Sequence, residues 1–164
     1  MVSIGRVEGM NRSQWERSLL PCHETLGWWL CGFTDGEGCF SISPTAKKGY
    51  VCSFTIKLRA DDAPVLDDLR HEFDIGTVTR GIHSSQGNGK PWAAWKVGDK
   101  AGLLLLTEVF DAFPLRSRKS DIYGIWREAV IHWANSDRPV DWTPIAEAHA
   151  RLRVLREYVE AVAS

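Results

Sequence analysis

The stretch from Leu26 to Gly38 constrains this chain more than any other. Leu26, Trp29, Leu30 and Phe33 recur at helical spacing after Thr25, a residue suited to an N-cap, and the run stops in Asp35-Gly36-Glu37-Gly38. The pattern predicts a helix of about three turns. Gly32 and Gly36, four apart, fall on one face of it and remove the side chains that would hold another backbone away. Such a face calls for a partner helix. Asp35 and Glu37 stand at the C-terminal end, where the macrodipole disfavours negative charge by about 0.3–1 kcal/mol each. A sequence that tolerates this cost gains from a cation there; the alternative is that Asp35 merely caps and Glu37 is solvated.

The rest of the chain alternates strands and helices. Cys39 to Ser43 and Phe54 to Leu58 alternate with period two around a turn at Pro44 to Gly49, which predicts an antiparallel hairpin. Asp61 or Asp62 caps a helix bearing Val65, Leu66, Leu69 and Phe73, and a third strand begins with Ile75, Val78 and Ile82. After a polar loop, Gly81 to Pro91, a fourth strand covers Trp92 to Val97. Helices are expected at Leu103 to Phe110, Asp121 to Trp133 and, beyond Pro139 and Pro144, along Ile145, Ala148, Leu152, Leu155, Val159 and Val162, with a short one at Ser13 to Leu20. This order means α+β with a four-stranded antiparallel sheet and packed helices. At 164 residues, 44% of them hydrophobic, one core is expected: an extension over 1–24, a domain over 25–136 and a C-terminal helical extension over 137–164. Trp28, Trp29, Trp95 and Trp126 are expected in that core, whereas Trp92 and Trp142 are not readily placed.

No apolar run, Leu103 to Leu106 included, approaches the roughly 20 residues of a membrane span, and the start lacks a signal pattern, so a soluble, cytoplasmic protein is expected. Cys22, Cys31, Cys39 and Cys52 are unevenly spaced among residues that look like core and read as free thiols. A metal site joining Cys22-His23 to Cys31 or Cys39 matches no common spacing. The net charge of −1 argues against nucleic acid, but its distribution argues for it. Cys39 to Ala60 holds Lys47, Lys48, Lys57 and Arg59 without an acid, and Ile75 to Gly98 holds Arg80, Lys90 and Lys96 without an acid, while acids gather between them from Asp61 to Asp74. If the basic stretches share one surface, the molecule has a cationic face.

Leu30-Cys31-Gly32-Phe33-Thr34-Asp35-Gly36-Glu37-Gly38 resembles the LAGLIDADG motif at its glycines and both acids, with Cys31 and Thr34 in place of small and aliphatic residues. The resemblance continues through Phe40-Ser41-Ile42, the Phe54 to Leu58 strand, Asp62, Leu66, Leu69, Phe73, Gly76, Val78, Trp95 and Phe113-Pro114-Leu115-Arg116-Ser117-Arg118-Lys119, then Asp121, Tyr123 and Trp126. It covers about residues 26–133 and implies the fold of a LAGLIDADG homing endonuclease: a homodimer through the motif helix, with Gly32 and Gly36 in the interface. It further implies Glu37 as ligand of a catalytic Mg²⁺ or other divalent cation, with Gly36 beside it, Asp35 holding the helix end, and Arg118 or Lys119 as the basic residue of the active site. The position that often bears a polar active-site residue falls on Leu58, where Lys57 or Arg59 can substitute.

The activity so implied is hydrolysis of both strands of a long, roughly palindromic DNA target, by in-line attack of water, with one Glu37 per strand. Recognition would fall to the exposed face of the sheet, through Ser41, Ser43, Ser53, Thr55, Lys57, Arg59, Thr77, Thr79 and Lys96, joined by His83, Gln86 and Asn88 from the loop. Lys47 and Lys48, at the hairpin tip, would grip phosphate. The partners are thus double-stranded DNA and a second copy, with neither a membrane nor a small-molecule substrate. An intron maturase or DNA-binding regulator that has stopped cleaving is the main alternative, favoured by Leu58 and opposed by the intact Glu37. A purely structural dimer is disfavoured by the acid-free basic strands.

Overall fold

A computed structural model describes residues 21–82 and 89–163 of the chain. The helix expected at Ser13 to Leu20 and the loop residues His83, Gln86 and Asn88 lie outside the described residues.

The first helix, α1 (Glu24–Glu37), starts slightly before Thr25: His23 is its N-cap and accepts from the Thr25 amide through Nδ1 at 3.3 Å. Strand β1 (Gly38–Pro44) follows without a break, and β2 (Tyr50–Arg59) pairs back along it with Phe40 opposite Phe54 and Ser41 opposite Ser53. A single 3-10 turn, Ala60–Asp62, leads into α2 (Ala63–Phe73), whose Pro64 occupies the first turn, where no backbone donor is needed. Asp62 stands at the N-cap but makes no side-chain cap bond, and Asp74 ends the helix in the left-handed region. Strands β3 (Thr77–Ile82) and β4 (Pro91–Val97) pair antiparallel, and β4 inserts beside β2, so the sheet runs β1-β2-β4-β3. Helices α3 (Lys100–Ala112), α4 (Lys119–Asn135) and α5 (Thr143–Ala163) complete the fold. This is the expected α+β architecture, with helix ends extended by one to three residues. The Asp99 carboxylate explains one such shift: it accepts from the Gly102 amide at 2.8 Å and starts α3 before Leu103.

The core lies between the sheet and the helices. Phe40 packs on Phe54, Phe110, Tyr123 and Trp126, with ring centroids 5.0–5.5 Å apart, and Trp95 closes the other end against Phe54 and Phe73. Burying a side chain of this size is worth about 1.5–3 kcal/mol, so this cluster fixes which sheet face turns inward. Trp95 and Trp126 are fully buried, as expected, but Trp28 and Trp29 are each 44% exposed. The reason is the helical wheel of α1: Gly27, Leu30, Cys31 and Thr34 are the buried set, and the two tryptophans fall off that stripe.

Cys31 and Cys52 are buried and Cys22 half-buried, but Cys39 is exposed, on the sheet face away from the helices. All four are free thiols, and among the described residues no cluster of three His, Cys, Asp or Glu side chains is placed to hold a metal. Among the described residues no helix is long and apolar enough to cross a membrane.

Candidate active site and nucleic-acid surface

Glu37 is the last residue of α1 and is exposed. Directly after it the chain must turn from helix to strand. Gly38 makes this possible: its amide donates to the Thr34 carbonyl, and a side chain there would press on that same carbonyl, 2.9 Å from a Cβ. The last carbonyls of a helix carry the negative end of its dipole, and here a cation faces them. The Lys119 ammonium, reaching over from the start of α4, donates to the carbonyls of Thr34 at 3.0 Å and Gly36 at 2.8 Å. Of the two basic residues left open by the sequence, Lys119 stands at the end of α1, whereas Arg118 is exposed at the N-cap of α4.

Asp35 does not cap its own helix. Its carboxylate accepts from the amides of Arg116 at 2.9 Å and Ser117 at 3.2 Å, and from the Ser117 hydroxyl at 2.6 Å, tying the segment before α4 to α1. Partial burial works against the charge, but the Ser117 hydroxyl, the two amides and nearby Lys119 outweigh it and hold the Asp35 carboxyl below its ordinary range. The same segment is held from behind. The Cys31 thiol donates to the Phe113 carbonyl, a Cβ at Gly27 would overlap the Phe113 ring, and Trp28 meets that ring edge-on at 5.3 Å. Asp35 is therefore a tether that sets where Lys119 enters, a role invisible in sequence because its partners lie 81 and 82 positions away.

Glu37 borders a cleft of about 530 Å³ that also takes in Lys57, Leu58, Arg59, Asp62, Lys90, Pro91 and Trp92. The Lys57 ammonium lies over the Trp92 ring, 4.5 Å from its centroid, and Arg59 forms a two-pronged ion pair with Asp61 at 3.1 and 2.9 Å. Asp62, Lys90 and Trp92 were not among the expected site residues. Lys90 and Trp92 reach Glu37 only because β4 lies beside β2, which sets Trp92 opposite Arg59, whereas Asp62 follows β2 directly in the 3-10 turn. Leu58 faces the helices and packs on the core, half-buried, while its neighbours Lys57 and Arg59 face outward. A hard divalent cation could take the solvent-facing Glu37 carboxylate and the second lone pair of the Gly36 carbonyl, with water filling the other positions, a set compatible with Mg²⁺, which keeps much of its hydration shell.

The sheet register places Ser41, Ser43, Ser53, Thr55, Lys57, Arg59, Thr77, Thr79 and Lys96 on one face, opposite the core. Ser53 departs from expectation: it is only 5% exposed, and its hydroxyl lies 2.8 Å from that of Ser41, so the two bind one another. Lys47 and Lys48 are exposed in the β1–β2 turn. Arg80 departs as well, since it shares the core-side register with Ala93 and forms an ion pair with Asp67 of α2. The cationic surface is thus made without Arg80, and that acid lies behind the sheet.

The outer side of α1 is open. Nothing lies within 4 Å of a Cβ built on Gly32 or Gly36, and beside them stand Trp28, Trp29 and half-buried Phe33, with Trp29 and Phe33 stacked at 5.0 Å.

A model of the LAGLIDADG endonuclease family matches residues 30–130. An uncharacterized 50.9 kDa protein of ND4 intron 1 in Podospora anserina is 30% identical over 118 residues, 67% of this chain and 25% of that protein. A probable intron-encoded endonuclease, Cox1-I1b of Schizosaccharomyces pombe, is 25% identical over 79% of this chain and 34% of its own length. The chain thus spans about a quarter to a third of these relatives. Among solved structures, the LAGLIDADG meganuclease I-AabMI bound to uncleaved DNA is 26% identical with a TM-score of 0.58, covering 66% of this chain and 37% of that one. The homing endonuclease I-TnaI is 21% identical with a TM-score of 0.62, covering 81% of this chain and 97% of that one.

Proposed function

The chain belongs to the LAGLIDADG endonuclease family, and on that premise we propose that it is a site-specific, divalent-metal-dependent DNA endonuclease acting as a homodimer on a roughly palindromic duplex. The observation that carries this is the union of two features on α1: an open face of glycines and aromatics, and an exposed carboxylate at the end of that face. One carboxylate serves one strand. Pairing two such faces brings two Glu37 groups to one axis with a polar sheet face on either side, and two-fold symmetry in the protein then selects two-fold symmetry in the target.

Glu37 and the Gly36 carbonyl would hold the metal ion. When bound, Mg²⁺ supplies Lewis acidity at a phosphate oxygen and makes nearby water a better nucleophile. Lys119 keeps positive charge at the end of α1, where phosphate and carboxylates crowd together, and Asp35 fixes its approach. Lys57, on the wall of the cleft, adds a second cation where Leu58 offers no polar group. Base contacts would come from Ser43, Thr55, Thr77, Thr79 and Lys96, and phosphate contacts from Lys47 and Lys48.

The test is incubation with a plasmid library, with and without Mg²⁺, followed by sequencing of any new ends. Cleavage at one site with Mg²⁺ is expected, and Glu37→Gln should lower it by several orders of magnitude while binding persists, because a neutral amide is a poor ligand for a hard cation. Cutting by Glu37→Gln at the parent rate would remove the metal assignment. Target binding without cleavage by the unaltered protein would favour a maturase or regulator.

A further inference from the structure

The family match ends at residue 130, yet the chain beyond it returns to the sheet at specific points. After α4, His132 Nε2 lies 2.8 Å from the Asp141 carbonyl oxygen, and the Asp141 carboxylate accepts from the Thr143 amide at 3.0 Å to start α5. Ile145, Ala148 and Leu152 are at most 2% exposed, so α5 shares the main core and is not an appendage. From that base the helix and the residue before it, Trp142, touch the β1–β2 hairpin at several places. The Trp142 indole covers Gly49, where a Cβ would stand 3.0 Å from the ring; Tyr50 lies 6.4 Å from Trp142 and 5.6 Å from the His149 ring; and the Arg156 guanidinium donates to the Phe40 carbonyl at 2.7 Å, on the open edge of β1.

The turn so held is itself unusual. The Thr45 amide donates to the Gly49 carbonyl at 2.8 Å, and the Thr45 hydroxyl accepts from the Gly49 amide at 3.2 Å. Lys48 adopts φ 58°, a conformation natural to glycine or asparagine and costly for a long side chain by about 1–2 kcal/mol. Lysine thus stands where glycine or asparagine would cost less, on a backbone held by the two Thr45–Gly49 hydrogen bonds and by the Trp142 indole against Gly49.

We infer that the segment 136–157 is a brace for the β1–β2 hairpin, with Trp142 the positioning residue that fixes the tip and presents Lys47 and Lys48 to DNA phosphates at the outer end of the sheet. The DNA end of this inference rests on the endonuclease proposal; the brace does not. The experiment therefore has two arms on the full chain. In the first, hydrogen exchange at the Lys48 and Gly49 amides should quicken on the order of tenfold in Trp142→Ala. Trp142→Phe should restore most of the protection, and Gly49→Ala, which presses on the same indole from the other side, should lose it. Unchanged exchange in Trp142→Ala overturns the brace.

In the second arm, binding to a labelled random-sequence DNA duplex is followed across salt concentration. Lys47→Ala with Lys48→Ala should reduce the log–log salt slope by about 2, one for each phosphate no longer neutralised. Trp142→Ala alone should reproduce part of that reduction, and added to the two lysine changes it should do nothing further. A reduction from Trp142→Ala of equal size in both backgrounds marks general damage and overturns the positioning role. Failure of the unaltered protein to bind any duplex would sink the endonuclease reading and the DNA end of the inference together, leaving the exchange arm to decide the brace.

Discussion

Thr34 is fully buried in α1, and its hydroxyl has no hydrogen-bond partner among the described residues. An unsatisfied buried hydroxyl costs about 1–3 kcal/mol, so Thr34→Val, nearly the same shape, should raise the unfolding free energy by about 1 kcal/mol in denaturant titration; a decrease would mean that the hydroxyl has a partner in solution. Asp35 makes the opposite case. Its carboxyl is held below the ordinary value of 3.8, so the folded chain takes up a proton less readily there than the unfolded chain does. The stabilisation is complete above about pH 4 and fades as pH falls through the lowered folded value. Asp35→Asn should therefore lower stability at neutral pH and flatten its decline on the acid side of pH 4, measured as thermal midpoints across pH. Parallel pH profiles for the two proteins would show that the Arg116 and Ser117 bonds carry no charge-dependent stability.

Which elements form was legible from periodicity, because most have one dominant apolar stripe, such as Leu66, Leu69 and Phe73 on α2 and Phe40 and Ile42 on β1. What periodicity cannot say is which element lies beside which. The order β1-β2-β4-β3 follows from packing across the whole sheet, and it alone brings Trp92 and Lys90 to Glu37. The misplacement of Trp28 and Trp29 has a related cause, since α1 is apolar on two faces and its sequence does not label which one meets its own core. The second face yields a discriminating prediction. Gly32 opens onto empty space within one chain, so Gly32→Leu should keep the monomer folded, even gaining up to about 1 kcal/mol of helix propensity. In a dimer packed through that face the leucine would hold the backbones apart. Sedimentation should therefore show a folded monomer for Gly32→Leu where the parent sediments as a dimer; a dimeric variant would place the interface elsewhere.

At the scale of the whole molecule, a net charge of −1 conceals two unlike surfaces, and the proposed assembly through α1 would sharpen the contrast. Lys47, Lys48, Lys57 and Lys96 of each copy would lie along the DNA, while the two Glu37 carboxylates would meet near the axis, each at a helix C-terminus and each close to phosphate. For a separation of about 10 Å, two such charges repel by about 1.7 kcal/mol at an effective dielectric of about 20, and by about 0.4 kcal/mol in bulk water. The first value corresponds to more than a tenfold change in binding and the second to roughly twofold, so the penalty is measurable only where the site is partly desolvated and salt is low. Without divalent metal, then, the unaltered protein should bind its mapped target less tightly than Glu37→Gln does at low ionic strength. The difference should shrink as salt is raised, and it should vanish or reverse when Ca²⁺ is added, because only the carboxylate gains a cation. Titrations of both proteins in chelator and in Ca²⁺, at two salt concentrations, give all four comparisons. Should Ca²⁺ tighten both proteins equally, the cation acts on the DNA or elsewhere on the surface, and Glu37 is not where the metal binds.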